Sequence, residues 1–182
     1  GEKDPLVFGA PQEWVALLVE AQKTLAAGRP AEAATLRDRA FAAAPAVTGT
    51  LNGQPFAWVA DADMRLGPIL EAVVNGRYFW MPFNVISQIT ADPPRDLRDC
   101  VWTPVNIVLK NGGDIVALIP TRYVGTAEHG THAEKLARAT EWVDAGGETF
   151  VGRGQRILAT DAGETAIMDL RELVIDHPGG GA

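Results

Sequence analysis

His129 and His132 stand three residues apart, a spacing that lets two imidazoles face one metal ion when a helix carries them. Gly130 falls between them and weakens the helix where the pair would need it, so a polar loop is the simpler reading. Asp61 and Asp63, with Glu71 further along, offer carboxylates for acid–base work or for a divalent cation. No nucleophile or base accompanies them. Aspartates ahead of Arg65-Leu66-Gly67-Pro68 more simply cap a turn and pair with the guanidinium. Gly152-Arg153-Gly154 begins a dinucleotide fingerprint, but Ile157 occupies the third glycine position and no strand-to-helix switch follows. A bulge or a close backbone approach fits it better. Ser87 is the single serine and has no nucleophile elbow around it. Cys100, beside Asp99, reads as a structural cysteine. These residues define no catalytic set, metal site or cofactor site, so a non-enzymatic protein is the leading reading. A small metal-dependent enzyme or binding domain using Asp61, Asp63 and Glu71 is the alternative.

The 182 residues carry 16 basic and 23 acidic side chains, a formal net charge of -7. That balance argues against a general nucleic-acid binder, which needs clustered Lys and Arg against phosphate. No apolar run approaches membrane-spanning length, and the polar opening Gly1-Glu2-Lys3-Asp4 does not resemble a secretory signal. A single cysteine fits a reducing compartment. The expected location is cytoplasmic, with no membrane partner.

The elements that must position these residues are legible in the periodicity. Over 12–26, Trp14, Leu17, Leu18, Ala21 and Leu25 recur at helical spacing, after Pro11 and before the terminating Gly28. A second helix is expected from Pro30 to about residue 43, with Leu36, Ala40 and Phe41 on its apolar face and Arg37, Asp38 and Arg39 pointing elsewhere. The short link makes the two antiparallel. Beyond Pro45 the period falls to two. Strands are expected at 56–59, 69–74, 77–81, 86–90, 105–109 and 115–119, the last buried on both faces. Asn75-Gly76 should make a type I′ hairpin turn. A helical turn over 95–100 and a short helix over 131–138 precede strands at 140–143, 149–151, 156–159 and 166–170. The fold class is α+β: an N-terminal helical hairpin over 1–45, then a mostly antiparallel β-sheet domain over 46–176, with a disordered tail over 177–182.

Several segments in this order resemble the ImpE/TagJ family. They are Phe8-Gly9 leading into Trp14-Val15-Ala16-Leu17-Leu18; Ala43-Ala44-Pro45-Ala46 with Gly49-Thr50-Leu51-Asn52-Gly53-Gln54-Pro55-Phe56; and Ala60-Asp61-Ala62-Asp63-Met64-Arg65-Leu66-Gly67-Pro68. Val74-Asn75-Gly76-Arg77-Tyr78-Phe79-Trp80-Met81-Pro82-Phe83, Asp96-Leu97-Arg98-Asp99 with Val101-Trp102, and Ile119-Pro120-Thr121-Arg122-Tyr123 continue it. Thr140-Glu141-Trp142, and 152–158 with Thr160-Asp161, complete it. The resemblance implies a cytoplasmic accessory protein of the bacterial type VI secretion system with no enzymatic activity. Its implied partner is the small subunit of the contractile sheath, and through it, indirectly, the AAA+ ATPase that recycles contracted sheath. It also implies a preceding helical-repeat segment, of which the hairpin would be a remnant. The resemblance carries no binding residues. From the residues themselves, Trp14, Leu17, Leu18 and Leu25 are candidates for an apolar groove that takes a partner helix, or else pack on the chain's own sheet. Tyr78 and Trp80 are candidates for an aromatic surface on a strand. A free sheet edge would offer self-association.

Overall fold

The computed structural model describes residues 4–177. A short strand β1 (Leu6–Val7) leads into helices α1 (Glu13–Ala26) and α2 (Pro30–Ala43). Six strands follow: β2 (Gly49–Leu51), β3 (Gln54–Phe56), β4 (Val59–Asp61), β5 (Ile69–Val74), β6 (Arg77–Pro82) and β7 (Ile86–Thr90). Then come β8 (Trp102–Leu109), β9 (Asp114–Pro120) and the one-turn helices α3 (Thr126–His129) and α4 (His132–Lys135). The chain finishes with β10 (Thr140–Asp144), β11 (Phe150–Gly154), β12 (Ile157–Thr160), β13 (Gly163–Ala166) and β14 (Glu172–Ile175).

Nine strands form one sheet in the order β1-β6-β5-β9-β8-β7-β14-β2-β3, antiparallel except for the β1–β6 pair. A three-stranded sheet β13-β12-β4 and a two-stranded ribbon β10-β11 complete the architecture. The α+β arrangement expected from the sequence is therefore present. The β5–β6 hairpin pairs Val74 with Arg77 across Asn75-Gly76, and both turn residues have positive φ, 50° and 74°. This is the condition a two-residue type I′ turn imposes.

One face of the large sheet buries Leu70, Ala72, Met81, Ile89, Ile107 and Leu173 in the main core, where they meet Val59, Leu158 and Ile167. At the β6–β5 end of the opposite face lies a second cluster, Trp14, Val15, Leu18 and Ala40 against Leu66, Ile69 and Trp80. The helical hairpin thus packs on the sheet. The α1 stripe drives this contact, and burying a side chain the size of Leu18 contributes about 2 kcal/mol. The face that α2 buries is made of Ala33, Arg37 and Ala40. Its small alanines let the two helices approach closely.

Several expectations are corrected. Arg37 does not point away: it is buried and donates to Thr149 Oγ1 at 2.5 Å. The strand expected over 56–59 is two strands in different sheets. The chain breaks at Ala57 and Trp58, whose N–H groups both reach Asp161 Oδ1 (2.7 and 3.4 Å). β9 is not buried on both faces, since Val116 is 70% exposed. The helix expected over 131–138 shortens to α4 because Ala137 takes a positive φ of 53°. The strand expected over 166–170 is a 3-10 turn at Ile167–Asp169, and the chain then resumes as β14. Of the expected disordered tail, His177 is half-buried with a ring nitrogen 2.8 Å from the Ile86 carbonyl, and residues 178–182 lie outside the described range. Among the described residues no helix is long and apolar enough to cross a membrane.

Candidate functional site: an apolar groove over a buried ion network

Two of the three carboxylates singled out from the sequence, Asp61 and Glu71, converge on a residue that sequence reading passed over, while Asp63 pairs with Arg65. Arg156 opens the segment after β11 and is completely buried. Its guanidinium pairs with Asp61 at the end of β4 and with Glu71 on β5, and its Nε donates to the Pro120 carbonyl at 2.9 Å. The Tyr123 ring lies beneath it, 5.1 Å from guanidinium carbon to ring centroid. The Tyr123 hydroxyl donates to Asp61 Oδ1 (2.9 Å) and accepts from the Ile157 N–H (2.9 Å).

A second layer fixes Asp61 from below. Its Oδ1 also accepts the Asp63 N–H at 2.9 Å, the turn-capping role expected for this pair. Asp63, fully buried, forms a two-point ion pair with Arg65 (2.9 and 2.5 Å) and accepts the Gly152 N–H at 2.7 Å. Gly152 is required here for space: a Cβ at this position would come within 2.2 Å of the Tyr123 ring. On the far side Glu71 accepts from the Tyr78 hydroxyl, which in turn accepts from Trp80 Nε1 at 2.8 Å.

Electrostatically, two guanidinium groups serve three carboxylates. Burial pushes the Asp61 carboxyl up to about 6, opposed by Arg156 and by its bond from the Asp63 amide, and reinforced by the Asp63 and Glu71 charges. Burial, with the adjacent carboxylates, likewise raises the Tyr78 and Tyr123 phenols, and so both remain neutral donors. Among the described residues the only buried side-chain polar atom without a hydrogen-bond partner is Thr24 Oγ1, which lies outside this network. The network therefore has no vacant position aimed at a ligand. Nor does any cluster of three or more His, Cys, Asp and Glu among the described residues suit a metal ion. His129 and His132 sit on two separate one-turn helices. What this arrangement can do is hold β4, β5, β11 and the 120–123 segment in one fixed geometry.

That geometry forms one wall of a groove of roughly 400 Å3. The groove lies between the hairpin and the sheets, lined by Trp14, Phe41, Val47, Trp58, Met64 and Phe83, with Asp61 also in its wall. Trp58 is 43% exposed. Of the groove candidates read from the sequence, Trp14 lines it. Leu18 is completely buried in the second cluster, Leu17 packs half-buried on that cluster, and Leu25 lines a smaller cleft beside Arg65. Trp80 is buried in the second cluster, whereas Tyr78 is 41% exposed on the strand surface. The structure does not bring these six together in one surface. Trp58 and Met64 escaped sequence reading because each sits outside helix and strand, where no periodicity assigns a face, whereas Phe41 lies on the α2 face already read as apolar.

Comparison with known proteins places this architecture. The family model described as ImpE protein matches residues 53–174. Over 173 residues the chain is 51% identical to the type VI secretion system accessory component TagJ of Pseudomonas aeruginosa, covering 95% of this chain and 60% of that protein. The chain thus spans about 60% of the length of this curated relative. A crystal structure of a Vibrio parahaemolyticus protein superposes with a TM-score of 0.87 at 23% identity, over 96% of this chain and 66% of that one. At that identity the likeness speaks to the fold. The matched family segment begins at the turn between β2 and β3, runs through Asp61, Glu71, Tyr123 and Arg156, and ends in β14, and the chain belongs to the ImpE family.

Proposed function

We propose that this chain works as a non-catalytic, cytoplasmic accessory component of a type VI secretion system, and that its groove receives an amphipathic helix of the small sheath subunit. The system is suggested by the 51% identity to the Pseudomonas aeruginosa accessory component. The sheath subunit, and through it the recycling ATPase, come from the family resemblance. The observation that carries the non-catalytic, docking reading is the contrast at Asp61. Its carboxylate is fully engaged and inaccessible, while immediately beside it lies an open apolar groove with Trp58 at its rim. A helix presenting apolar residues at i, i+3 and i+4 would lay that face against Trp14, Phe41 and Trp58. Tyr78 belongs to a separate exposed surface and has no part in this contact.

The test is a titration of the chain with the small sheath subunit from the same genome, for wild type and for Trp58→Glu. The expected result is binding by wild type and at least a tenfold weaker Kd for the variant, with an unchanged melting temperature, since an exposed side chain contributes little to stability. Equal affinity of the two proteins would remove the groove from the interface. Absence of binding by wild type would remove the residues of this chain as the subunit's site.

A further inference from the structure

The β10–β11 ribbon is asymmetric. Residues pair from Thr140 with Gly154 to Asp144 with Phe150. The flanking bonds, Gln155 N–H to the Ala139 carbonyl and Ala145 N–H to the Thr149 carbonyl, fix the phase of the ladder. By alternation, the amides of Glu141 and Val143 face β11, and those of Thr140, Trp142 and Asp144 face outward. The outward groups of β11 are occupied. The Phe150 N–H donates to Met64 Sδ, that of Gly152 to Asp63 and that of Gly154 to Thr126 Oγ1. The carbonyls of Phe150 and Gly154 accept from the Met64 and Tyr123 amides. β11 is also anchored at its turn, where Arg37 holds Thr149 and Gly147 abuts the Pro30 backbone. Among the described residues no comparable bond reaches the outward backbone of β10, and four of its five residues are exposed.

The two edges of the large sheet are blunted. β1 has two residues, and β3 has three, one of them Pro55. β10 carries neither device: it is five residues long, without proline or lysine. It also carries an ordered set of side chains. Trp142 and Val143, each 38% exposed, lie between Glu141 and Asp144. Among the described residues no salt bridge engages Glu141, Asp144 or the nearby Glu148. The neighbouring Arg153 is instead bound to Glu134 at 3.1 Å.

We infer that β10 is a docking edge for an extended segment of another protein, which adds as a third strand to the ribbon and carries the pattern cation–apolar–apolar–cation opposite Glu141-Trp142-Val143-Asp144. Main-chain bonds from the outward groups of Thr140, Trp142 and Asp144 supply the affinity, and cross-strand pairs supply the selection. The pattern reads the same in both directions, so it serves a parallel or an antiparallel strand. An acidic chain at net charge -7 favours such a cationic partner over a second copy of itself. This surface is separate from the groove and stands or falls independently of the helix contact.

The probe is the capped peptide Thr-Lys-Val-Val-Lys-Thr, titrated into the 15N-labelled chain at low salt. Two controls accompany it: the same peptide N-methylated at alternate amides on its pairing edge, and Thr-Glu-Val-Val-Glu-Thr. Amide shifts centred on 140–144, and at least tenfold weaker binding of both controls, are expected. Asp144→Pro, which deletes an outward N–H that the ribbon itself does not use, should abolish the shifts. If that variant unfolds, the peptide controls still decide. Equal binding of the methylated peptide would show charge attraction alone and overturn the inference, as would shifts confined elsewhere or no binding. Sedimentation showing a dimer that Asp144→Pro dissociates, with no peptide binding, would reassign the edge to a second copy.

Discussion

The Arg156 network and the groove share a wall at Asp61 yet are built on opposite principles. In the network every carboxylate oxygen and guanidinium is committed to a protein partner, and the side chains of Arg156, Asp61 and Asp63 have no contact with solvent. In the groove the lining is apolar, and Trp58 is left without a cover. The lesson is that the polar residues here fix the shape of the wall, while the apolar residues line the open space beside it. A buried ion pair adds little net stability over an apolar replacement, but removing one partner leaves an uncompensated charge in a medium that cannot solvate it.

The sharpest way to break this contrast is to remove the hub. Arg156→Ala strands Asp61 and Glu71 beside each other, and a loss of about 3–5 kcal/mol is expected, read as a collapse of the urea midpoint. A variant that kept wild-type stability would show that the network does not hold the wall. Gly152→Val drives side-chain atoms into the Tyr123 ring and should cost about 1–3 kcal/mol in the same measurement. The titration of Asp61 has a definite sign. Its folded value of about 6 lies above the unfolded 3.8, so the folded state holds more protons across that interval. Stability therefore falls as pH rises from about 4 to about 6. Urea unfolding at successive pH values should show this slope in wild type and a flatter one in Asp61→Asn; an unchanged slope would assign it to another group. Trp58→Ala is expected to have the smallest effect, under about 1 kcal/mol, because its ring is partly solvated already. A large loss of stability would mean that the groove rim is core.

What could be read from the chain divides by range. The α1 stripe, the Asn75-Gly76 hairpin and the alternation of Val105 and Ile107 are local, and a few neighbouring residues determine them. The role of Arg156 is not local. It pairs with residues 95 and 85 positions away, and in sequence it looks like an ordinary charge at the start of a strand. The carboxylates were conspicuous because they cluster near one another, but their partner was not. β2 was hidden for the same reason: Thr48-Gly49-Thr50 reads as turn chemistry until β14 pairs with Gly49, Thr50 and Leu51. Trp58 could not be assigned a face because Asp161, about a hundred positions away, breaks its strand.

The place of β14 has a consequence for synthesis. This strand, made after everything else in the large sheet, lies inside that sheet, pairing with β7 on one side and β2 on the other. Until residues 172–175 leave the ribosome, the hairpin β2–β3 has no edge to join, and the slot beside β7 exposes a row of unmet amides. Chains stalled before this point are bound to be sticky, and closure must wait for contacts of long sequence separation, which form slowly. Vectorial folding here ends with the insertion of a keystone.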